Sequence, residues 1–192
     1  MPAMADTLRI VALGDSLTAG YQLPPDYSFP ARLQIALKAK GHDVEVVNAG
    51  VSGDTSSGGL ARFGWAVPDG TDLVIVELGA NDALRGIDPS QTRKSIDKIL
   101  QNIAAVGADA LLTGMIAPPN MGPDYAASFN PIYPELAKKH GVALYPFFLE
   151  GVAAKRDLNL ADGIHPNEAG VDVIVANILP AVEKLISKRI AK

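Results

Sequence analysis

Short apolar runs alternate along the chain with longer segments in which apolar residues recur every three or four positions. The short runs have the length of strands, whereas the longer spacing is typical of helices with one buried face. The predicted strands cover residues 8–13, 44–47, 73–78, 110–113 and 142–145. Four of these runs are almost continuously apolar, which favours a parallel sheet that is covered on both faces.

Helical spacing predicts five longer elements, over residues 28–40, 56–66, 90–106, 124–140 and 167–190. The third of them begins after Ser90 and places five apolar side chains on one face, namely Ile96, Ile99, Leu100, Ile103 and Val106. Pro180 lies inside the last element, where its missing N–H predicts a kink or a division of that helix.

The regular alternation of strand and helix predicts an α/β fold, a three-layer α/β/α sandwich built with right-handed crossovers. The chain has 192 residues, of which 48% are hydrophobic. One compact domain of that size buries roughly 70% of the surface of its unfolded chain. We therefore expect a single domain over residues 1–192.

Composition and charge exclude several classes of function. The formal net charge is −4, and Lys and Arg are scattered, so no basic stripe is present to bind nucleic acid. Cysteine is absent and only three histidines occur, which argues against a metal site. Asp109 and Asp172 interrupt the two most apolar segments, so no membrane insertion is expected. The edge of the sheet and the last helix are both available as homo-oligomer interfaces.

The first six residues resemble the small-residue end of a secretory signal, with alanines at positions 3 and 5. This pattern predicts a mature chain that begins near Asp6 and a periplasmic or secreted protein. A cytoplasmic protein with a disordered start is the alternative, because Ala-x-Ala is common in alanine-rich sequences.

The loops that follow the predicted strands carry the residues with catalytic chemistry. In a parallel sheet these loops meet at one edge, beyond the carboxyl ends of the strands. Ser16 follows the first strand, Gly53 the second and Asn81 the third, while Asp162 and His165 lie on the loop after the fifth. One edge of the sheet is therefore expected to collect all five residues.

Serine, aspartate and histidine follow one another in an order that is known from hydrolytic triads. Asp162 lies three residues before His165, close enough to accept a hydrogen bond from one ring nitrogen and leave the other facing Ser16. A serine hydroxyl is a poor nucleophile without such a base. The N–H groups of Ser16 and Gly53 and the side-chain amide of Asn81 are candidate donors to an oxyanion.

Each of these residues also has a structural interpretation. Ser16 suits a helix N-cap, and Asn81 and the Asp162-Gly163 pair suit turns. Gly53 suits a positive φ, and His165 before a proline suits an ordinary loop. Asp15 and Asp54 flank the proposed site, and hydrogen bonding within loops is the expected role of both. The convergence of four loops on one reaction favours the catalytic interpretation.

Four sequence blocks resemble those of the SGNH hydrolases, also called the GDSL family, in the branch of bacterial thioesterase I, lysophospholipase L1 and arylesterase. They are GDSLTAGY at 14–21, SGDT at 52–55, ELGAND at 77–82 and DGIHPN at 162–167. The resemblance implies a flavodoxin-like sheet in the order 2-1-3-4-5. It also implies a Ser16–His165–Asp162 triad, an oxyanion hole made by Ser16, Gly53 and Asn81, no cofactor, and export of many relatives. Ala80 departs from the glycine of the thioesterase I pattern.

The predicted function is a serine esterase that hydrolyses carboxylic esters or thioesters with short to medium acyl chains through an acyl-enzyme on Ser16. A carbohydrate deacetylase is an alternative that the sparse aromatic residues disfavour, and a noncatalytic binding module is another. Apolar residues on adjoining loops either form an acyl pocket or pack the sheet edge. They are Leu84, Ile87, Ile116, Pro118, Pro119 and Met121.

Overall fold

The structure is a computed structural model that describes residues 7–191. Five parallel strands form one sheet in the order β2-β1-β3-β4-β5. The strands are β1 (Leu8–Gly14), β2 (Val44–Gly50), β3 (Leu73–Glu77), β4 (Asp109–Thr113) and β5 (Ala143–Tyr145). The predicted α/β fold and strand order are confirmed. The signal-like segment over residues 1–6 lies outside the described residues.

Helices connect and follow the strands. They are α1 (Ser16–Ala19), α2 (Phe29–Ala39), α3 (Ser56–Ala61), α4 (Phe63–Ala66), α5 (Ala80–Leu84), α6 (Pro89–Ala105), α7 (Pro123–Phe129), α8 (Ile132–His140) and α9 (Glu168–Ile190). Three single 3₁₀ turns occur at Pro25–Tyr27, Pro119–Met121 and Arg156–Leu158. The short helices α1 and α5 occupy positions that the hydrophobic pattern assigned to loops.

Three helix predictions differ from the structure. The element over 56–66 is divided at Arg62, and the element over 124–140 is divided at Asn130 and Pro131. The Asn130 side chain accepts a hydrogen bond from the N–H of Ala117, which fixes the break. In contrast, α9 continues through Pro180 without division. Proline removes only one backbone hydrogen bond, and the buried face of α9 on both sides of it keeps the helix in place.

Two helical layers enclose the sheet. Helices α2 and α9 pack together, and α3, α6 and α8 form the other packed group. The central strands β1 and β3 are almost completely buried, while the edge strands β2 and β5 are partly exposed. Within residues 7–191, no helix is both long and apolar enough to cross a membrane.

Candidate active site

Ser16 is held at the carboxyl end of the central strand β1 by a tight strand-to-helix turn. Gly14 ends the strand, and a Cβ atom at this position would overlap the side chains of Thr18 and Glu77. Asp15 is the N-cap of α1, and its Oδ1 accepts a hydrogen bond from Leu17 N at 2.9 Å. Because Ser16 is the first residue of α1, its N–H has no partner within the helix.

Ser16, His165 and Asp162 form a continuous chain of hydrogen-bonded side chains. Asp162 Oδ2 lies 2.7 Å from His165 Nδ1, and His165 Nε2 lies 2.9 Å from Ser16 Oγ. The structure thus brings together three residues from opposite ends of the sequence. Ser16 is buried, with 8% of the residue exposed, although it lines the cavity described below.

The loop that carries His165 is rigid because Asp162 folds it back on itself. Asp162 Oδ1 accepts hydrogen bonds from Ile164 N at 2.8 Å and His165 N at 3.0 Å. The hydrogen bond from the backbone of His165 is the largest cause that lowers the pKa of Asp162 to about 2, and the bonds from Ile164 N and the His165 ring add to it against the opposing effect of desolvation. Asp162 is therefore a carboxylate throughout the neutral pH range.

Tyr21 packs against the ring of His165, a contact that sequence reasoning missed. The two ring centroids are 4.4 Å apart with the planes tilted by 36°. Tyr21 closes the GDSLTAGY block, so its membership in that block was the available signal. The phenol ring limits the positions that the imidazole can take.

Asn81 lies on α5, directly after the sharp turn at Gly79. Gly79 has a φ of 114°, and a Cβ there would overlap the buried Tyr133 hydroxyl, so only glycine fits this turn. Asn81 Nδ2 donates to Asp15 Oδ2 at 3.0 Å. Asp82, the next residue, accepts hydrogen bonds from Ser56 and Thr92, which anchors α5 to α3 and α6.

Gly53 lies on the loop after β2, with a φ of 85°. Its carbonyl oxygen accepts a hydrogen bond from Arg85 Nη2 at 2.7 Å, so Arg85 ties this loop to the end of α5. The structural interpretation of Gly53 as a positive-φ residue is correct, and this backbone also leaves its N–H without a hydrogen-bond partner among residues 7–191.

Two carboxyl groups are buried side by side behind Ser16. Asp15 is 1% exposed and Glu77 is 0% exposed. Burial raises the pKa of Asp15 to about 6, and burial together with the nearby Asp15 charge raises the pKa of Glu77 well above its usual range. The sequence analysis assigned no role to Glu77, although ELGAND contains it.

Arg62 holds the loop after β2 against the end of β1. Its Nε donates to Asp54 Oδ2 at 2.6 Å, and its Nη2 donates to the carbonyl oxygen of Gly14 at 2.8 Å. Asp54 therefore acts within the loop network, as predicted. This network fixes the distance between the Gly53 loop and the turn that carries Ser16.

An apolar cavity of about 430 Å³ opens beside Ser16, Asn81 and His165. Four of the predicted pocket residues line it: Leu84, Ile116, Pro118 and Pro119. The other two predicted pocket residues, Ile87 and Met121, lie outside its lining, as does Gly53. The Ile87 carbonyl instead accepts a hydrogen bond from Tyr125. Further apolar lining residues were not predicted from the sequence, among them Met115, Phe147, Leu149, Ala153, Ala154 and Ile164.

The site contains no arrangement suited to a metal. Among residues 7–191, no three His, Asp or Glu side chains are grouped so that they could hold an ion. The polar residues that line the cavity are Asp15, Ser16, Asn81, Asn159 and His165. Among them are a hydroxyl, an imidazole and an amide, which are suited to acyl transfer.

Comparisons with known proteins agree with this chemistry. Residues 12–173 match the model of the GDSL-like lipase/acylhydrolase family. The chain is 42% identical over 185 residues to esterase TesA of Pseudomonas aeruginosa, covering 96% of this chain and 91% of that protein. It is 46% identical over 166 residues to thioesterase 1/protease 1/lysophospholipase L1 of Escherichia coli K12, covering 86% and 77%. A crystal structure of TesA matches with a TM-score of 0.87 at 40% identity, covering 92% of this chain and 99% of that chain.

Proposed function

This chain belongs to the GDSL-like lipase/acylhydrolase family and is a serine esterase, and from that premise we propose that Ser16, His165 and Asp162 perform the hydrolysis. The observation that carries the proposal is the unbroken chain of hydrogen bonds from Asp162 Oδ2 through both ring nitrogens of His165 to Ser16 Oγ. A structural N-cap at position 16 does not require an imidazole at 2.9 Å from its hydroxyl.

The reaction proceeds in two matched halves. His165 Nε2 takes the proton of Ser16 as Oγ attacks the acyl carbon, and the resulting imidazolium is stabilised by Asp162. Collapse of the tetrahedral intermediate breaks the bond to the alcohol or thiol, which leaves with the proton from His165. Water then attacks the acyl-enzyme with His165 again as base, and the acid is released.

The developing oxyanion is stabilised by hydrogen-bond donors. We assign this role to the N–H groups of Ser16 and Gly53 and to the Asn81 amide. Ser16 begins α1, Asn81 lies in α5 and Gly53 lies on the loop after β2, and hydrogen bonds of Asp15, Arg62 and Arg85 fix these segments to one another. Donors that are already oriented need no reorganisation when the charge forms.

A fluorophosphonate tests the assignment of the nucleophile. The probe phosphonylates an activated serine oxygen with loss of fluoride, so the wild-type protein should gain the mass of one phosphonyl group. Ser16→Ala should remain unlabelled and inactive, while Ser187→Ala, which removes an exposed hydroxyl on α9, should label at the wild-type rate. Labelling of the Ser16→Ala protein, or a wild-type protein that is not labelled, would show that Ser16 is not the nucleophile.

We propose that the apolar cavity binds the acyl chain of small esters or thioesters. Its volume lies within the usual range of ligand sites, and its walls are apolar side chains beside the reactive oxygen. Burial of one methylene contributes about 0.8 kcal/mol, so each added carbon should raise kcat/KM about fourfold until the cavity is full. This behaviour separates an acylhydrolase from a deacetylase, which would favour acetyl groups.

A series of p-nitrophenyl esters and acyl-CoA thioesters measures this dependence. Ile116 and Ile35 are both 52% exposed, but only Ile116 lines the cavity. Ile116→Trp should therefore shorten the preferred acyl chain, while Ile35→Trp should leave the preference unchanged. An identical profile for both variants would place the acyl chain outside this cavity.

Export to the periplasm or the medium stays a prediction from the alanines at positions 3 and 5. Cell fractionation of the producing bacterium and N-terminal sequencing of the purified enzyme test it. A first residue near Asp6 in the exported fraction is the expected result, and an intact enzyme confined to the cytoplasm would contradict it.

A further inference from the structure

The Asp15 side chain accepts two hydrogen bonds, and only one of them comes from its own helix. Oδ1 accepts from Leu17 N and caps α1, whereas Oδ2 accepts from Asn81 Nδ2 at 3.0 Å, 66 residues further along the chain. The carboxylate is 1% exposed, so water does not compete for Oδ2. The second hydrogen bond links the residue next to the nucleophile with an oxyanion donor.

An ionised carboxylate only accepts hydrogen bonds, so it selects one orientation of the Asn81 amide. The Asn81 amide nitrogen faces Asp15 and uses one of its two N–H bonds to donate a hydrogen bond to the carboxylate. The second hydrogen on the same nitrogen is left for the substrate. In the reverse orientation the amide oxygen would face a carboxylate, and two acceptors would oppose each other.

Glu77 occupies the other side of Asp15. Its Oε2 accepts from Asp15 N at 3.2 Å and from the Thr18 hydroxyl at 2.7 Å. Its Oε1 has no hydrogen-bond partner among the described residues. Two adjacent buried carboxylates repel each other, so one of them holds a proton. Both carboxyl oxygens of Asp15 accept hydrogen bonds, whereas Oε1 of Glu77 accepts none within residues 7–191, so we place the proton on Glu77. Burial and the charge of Asp15 raise the pKa of Glu77 well above its usual range.

Few other charged groups face Asp15. His165 lies close enough to favour the ionised form of Asp15, and Arg62 donates to the carbonyl of the preceding residue. Asp54 is paired with Arg62 and offsets its charge. The hydrogen bonds from Leu17 N and Asn81 Nδ2 favour the charged form of Asp15, and a neutral Glu77 spares it the repulsion of a second charge.

We propose that Asp15 is a positioning residue for the reaction, whose carboxylate holds the Asn81 amide with one N–H aimed at the oxyanion, and that a neutral Glu77 keeps Asp15 charged. The inference rests on the proposed function, because it takes Asn81 as an oxyanion donor. It gives the first aspartate of the GDSL block a role beyond capping α1.

The substitution Asp15→Asn removes the negative charge of this side chain and keeps its capping hydrogen bond with α1. Asparagine caps helices about as well as aspartate, so Oδ1 can still accept from Leu17 N. The amide nitrogen of the new side chain then faces Asn81 Nδ2, two donors oppose each other, and Asn81 must turn over. We expect kcat to fall at least about tenfold with KM changed less than about twofold, since one oxyanion donor contributes on the order of 10²-fold. An unchanged kcat would overturn the proposal.

A double-mutant cycle identifies the route of the effect. If Asp15 acts through Asn81, Asp15→Asn should lower kcat by less than about twofold in an Asn81→Ala background. If the two losses multiply, Asp15 has a separate, structural role and the proposal is wrong. Asp15→Ser, a second uncharged capping residue, provides the same comparison if Asp15→Asn does not fold.

Glu77→Gln tests the location of the proton. Glutamine is neutral and retains an oxygen for the N–H of Asp15 and for Thr18, so kcat at pH 7 to 8 should stay within about threefold of wild type. A loss as large as that of Asp15→Asn would show that Glu77 works as a carboxylate and would overturn this part of the inference.

The outcomes distinguish this inference from the proposed function. If Asn81→Ala leaves kcat unchanged, the oxyanion assignment fails and the role of Asp15 fails with it. If Asn81→Ala lowers kcat but Asp15→Asn does not, only the positioning role is overturned. If Ser16 is still labelled by the fluorophosphonate in Asp15→Asn while kcat falls, Ser16 is still an activated nucleophile. The loss of kcat then results from the altered orientation of Asn81.

Discussion

Two aspartates of the site show opposite pKa shifts because their surroundings differ. The Asp162 side chain is 35% exposed and accepts two backbone hydrogen bonds, which lower its pKa to about 2. Asp15 is buried, and desolvation raises its pKa to about 6 despite two hydrogen bonds. Acidification therefore protonates Asp15 well before it affects the carboxylate that orients His165.

Asn81→Ala measures the contribution of one oxyanion donor. The amide interacts with charge that exists only in the transition state, so kcat should fall on the order of 10²-fold to 10³-fold while KM changes little. Steady-state kinetics on a p-nitrophenyl ester give both constants. Asn120→Ala, in an exposed loop, is the matched control and should behave as wild type. A change confined to KM would mean that Asn81 only binds the ground state.

At the scale of elements, the turn between β3 and α5 decides where Asn81 is placed. The buried Tyr133 hydroxyl donates to the carbonyl oxygen of Leu78 at 2.9 Å and occupies the space beside Gly79. Asp82 and Arg85 then bind neighbouring elements. A helix of only five residues is stable here because these contacts, and not its own hydrogen bonds, hold it.

Gly79→Ala should disturb this turn in two ways, through its positive φ and through overlap with Tyr133. Gly70 also has a positive φ, but a Cβ there meets no atom within 4 Å, which makes Gly70→Ala the matched control for backbone strain. The strain alone costs about 1 to 2 kcal/mol. Urea unfolding should show a larger loss of stability for Gly79→Ala than for Gly70→Ala, and only the former should also lose activity. Equal losses would mean that Tyr133 moves aside freely.

At the scale of the whole molecule, the burial of Glu77 makes stability depend on pH. The folded protein keeps the Glu77 proton, whereas the unfolded chain releases it near the ordinary pKa of 4.5. The stability contributed by the neutral form is thus fully present below about pH 4.5 and is lost as pH rises toward the raised pKa of the folded state.

Glu77→Gln removes this dependence because glutamine does not titrate. Relative to wild type, the variant should gain stability as pH rises from 4 to 7, by up to about 1.4 kcal/mol per pH unit. Urea unfolding at several pH values measures the difference, and Glu150→Gln, at an exposed position, should show none. A difference that does not change with pH would indicate that Glu77 is ionised in the folded protein.

We propose that the chain folds as one domain, because a single sheet lies between the two helical layers and α9 packs against α2. Differential scanning calorimetry should then show one transition whose calorimetric and van't Hoff enthalpies agree. Two separated transitions would show that the chain folds as two domains.

Prediction from local sequence patterns succeeded where the pattern of a single element is enough to determine its secondary structure. The apolar runs at 8–13 and 73–78 predicted β1 and β3, because strands buried on both faces are apolar at every position. The elements predicted over 56–66 and 124–140 are each divided, because a helix pattern can continue across a break. At Asn130 the break is held by a hydrogen bond from the backbone N–H of Ala117, on another loop, to the Asn130 side chain. Pro180 was misjudged for a similar reason, since packing outweighs one missing hydrogen bond.

The sequence by itself determined the fold class, the family, the reaction type and the set of candidate residues, because strand patterns and loop motifs are recorded in consecutive positions. Only the tertiary structure decided which side chains touch. The Asp15–Glu77 pair, the contact of the Tyr21 ring with the His165 ring and the cavity lining contributed after β5 bring together residues that are distant in the chain. Burial and mutual distance set the charge of such groups, and neither quantity exists before the chain has folded.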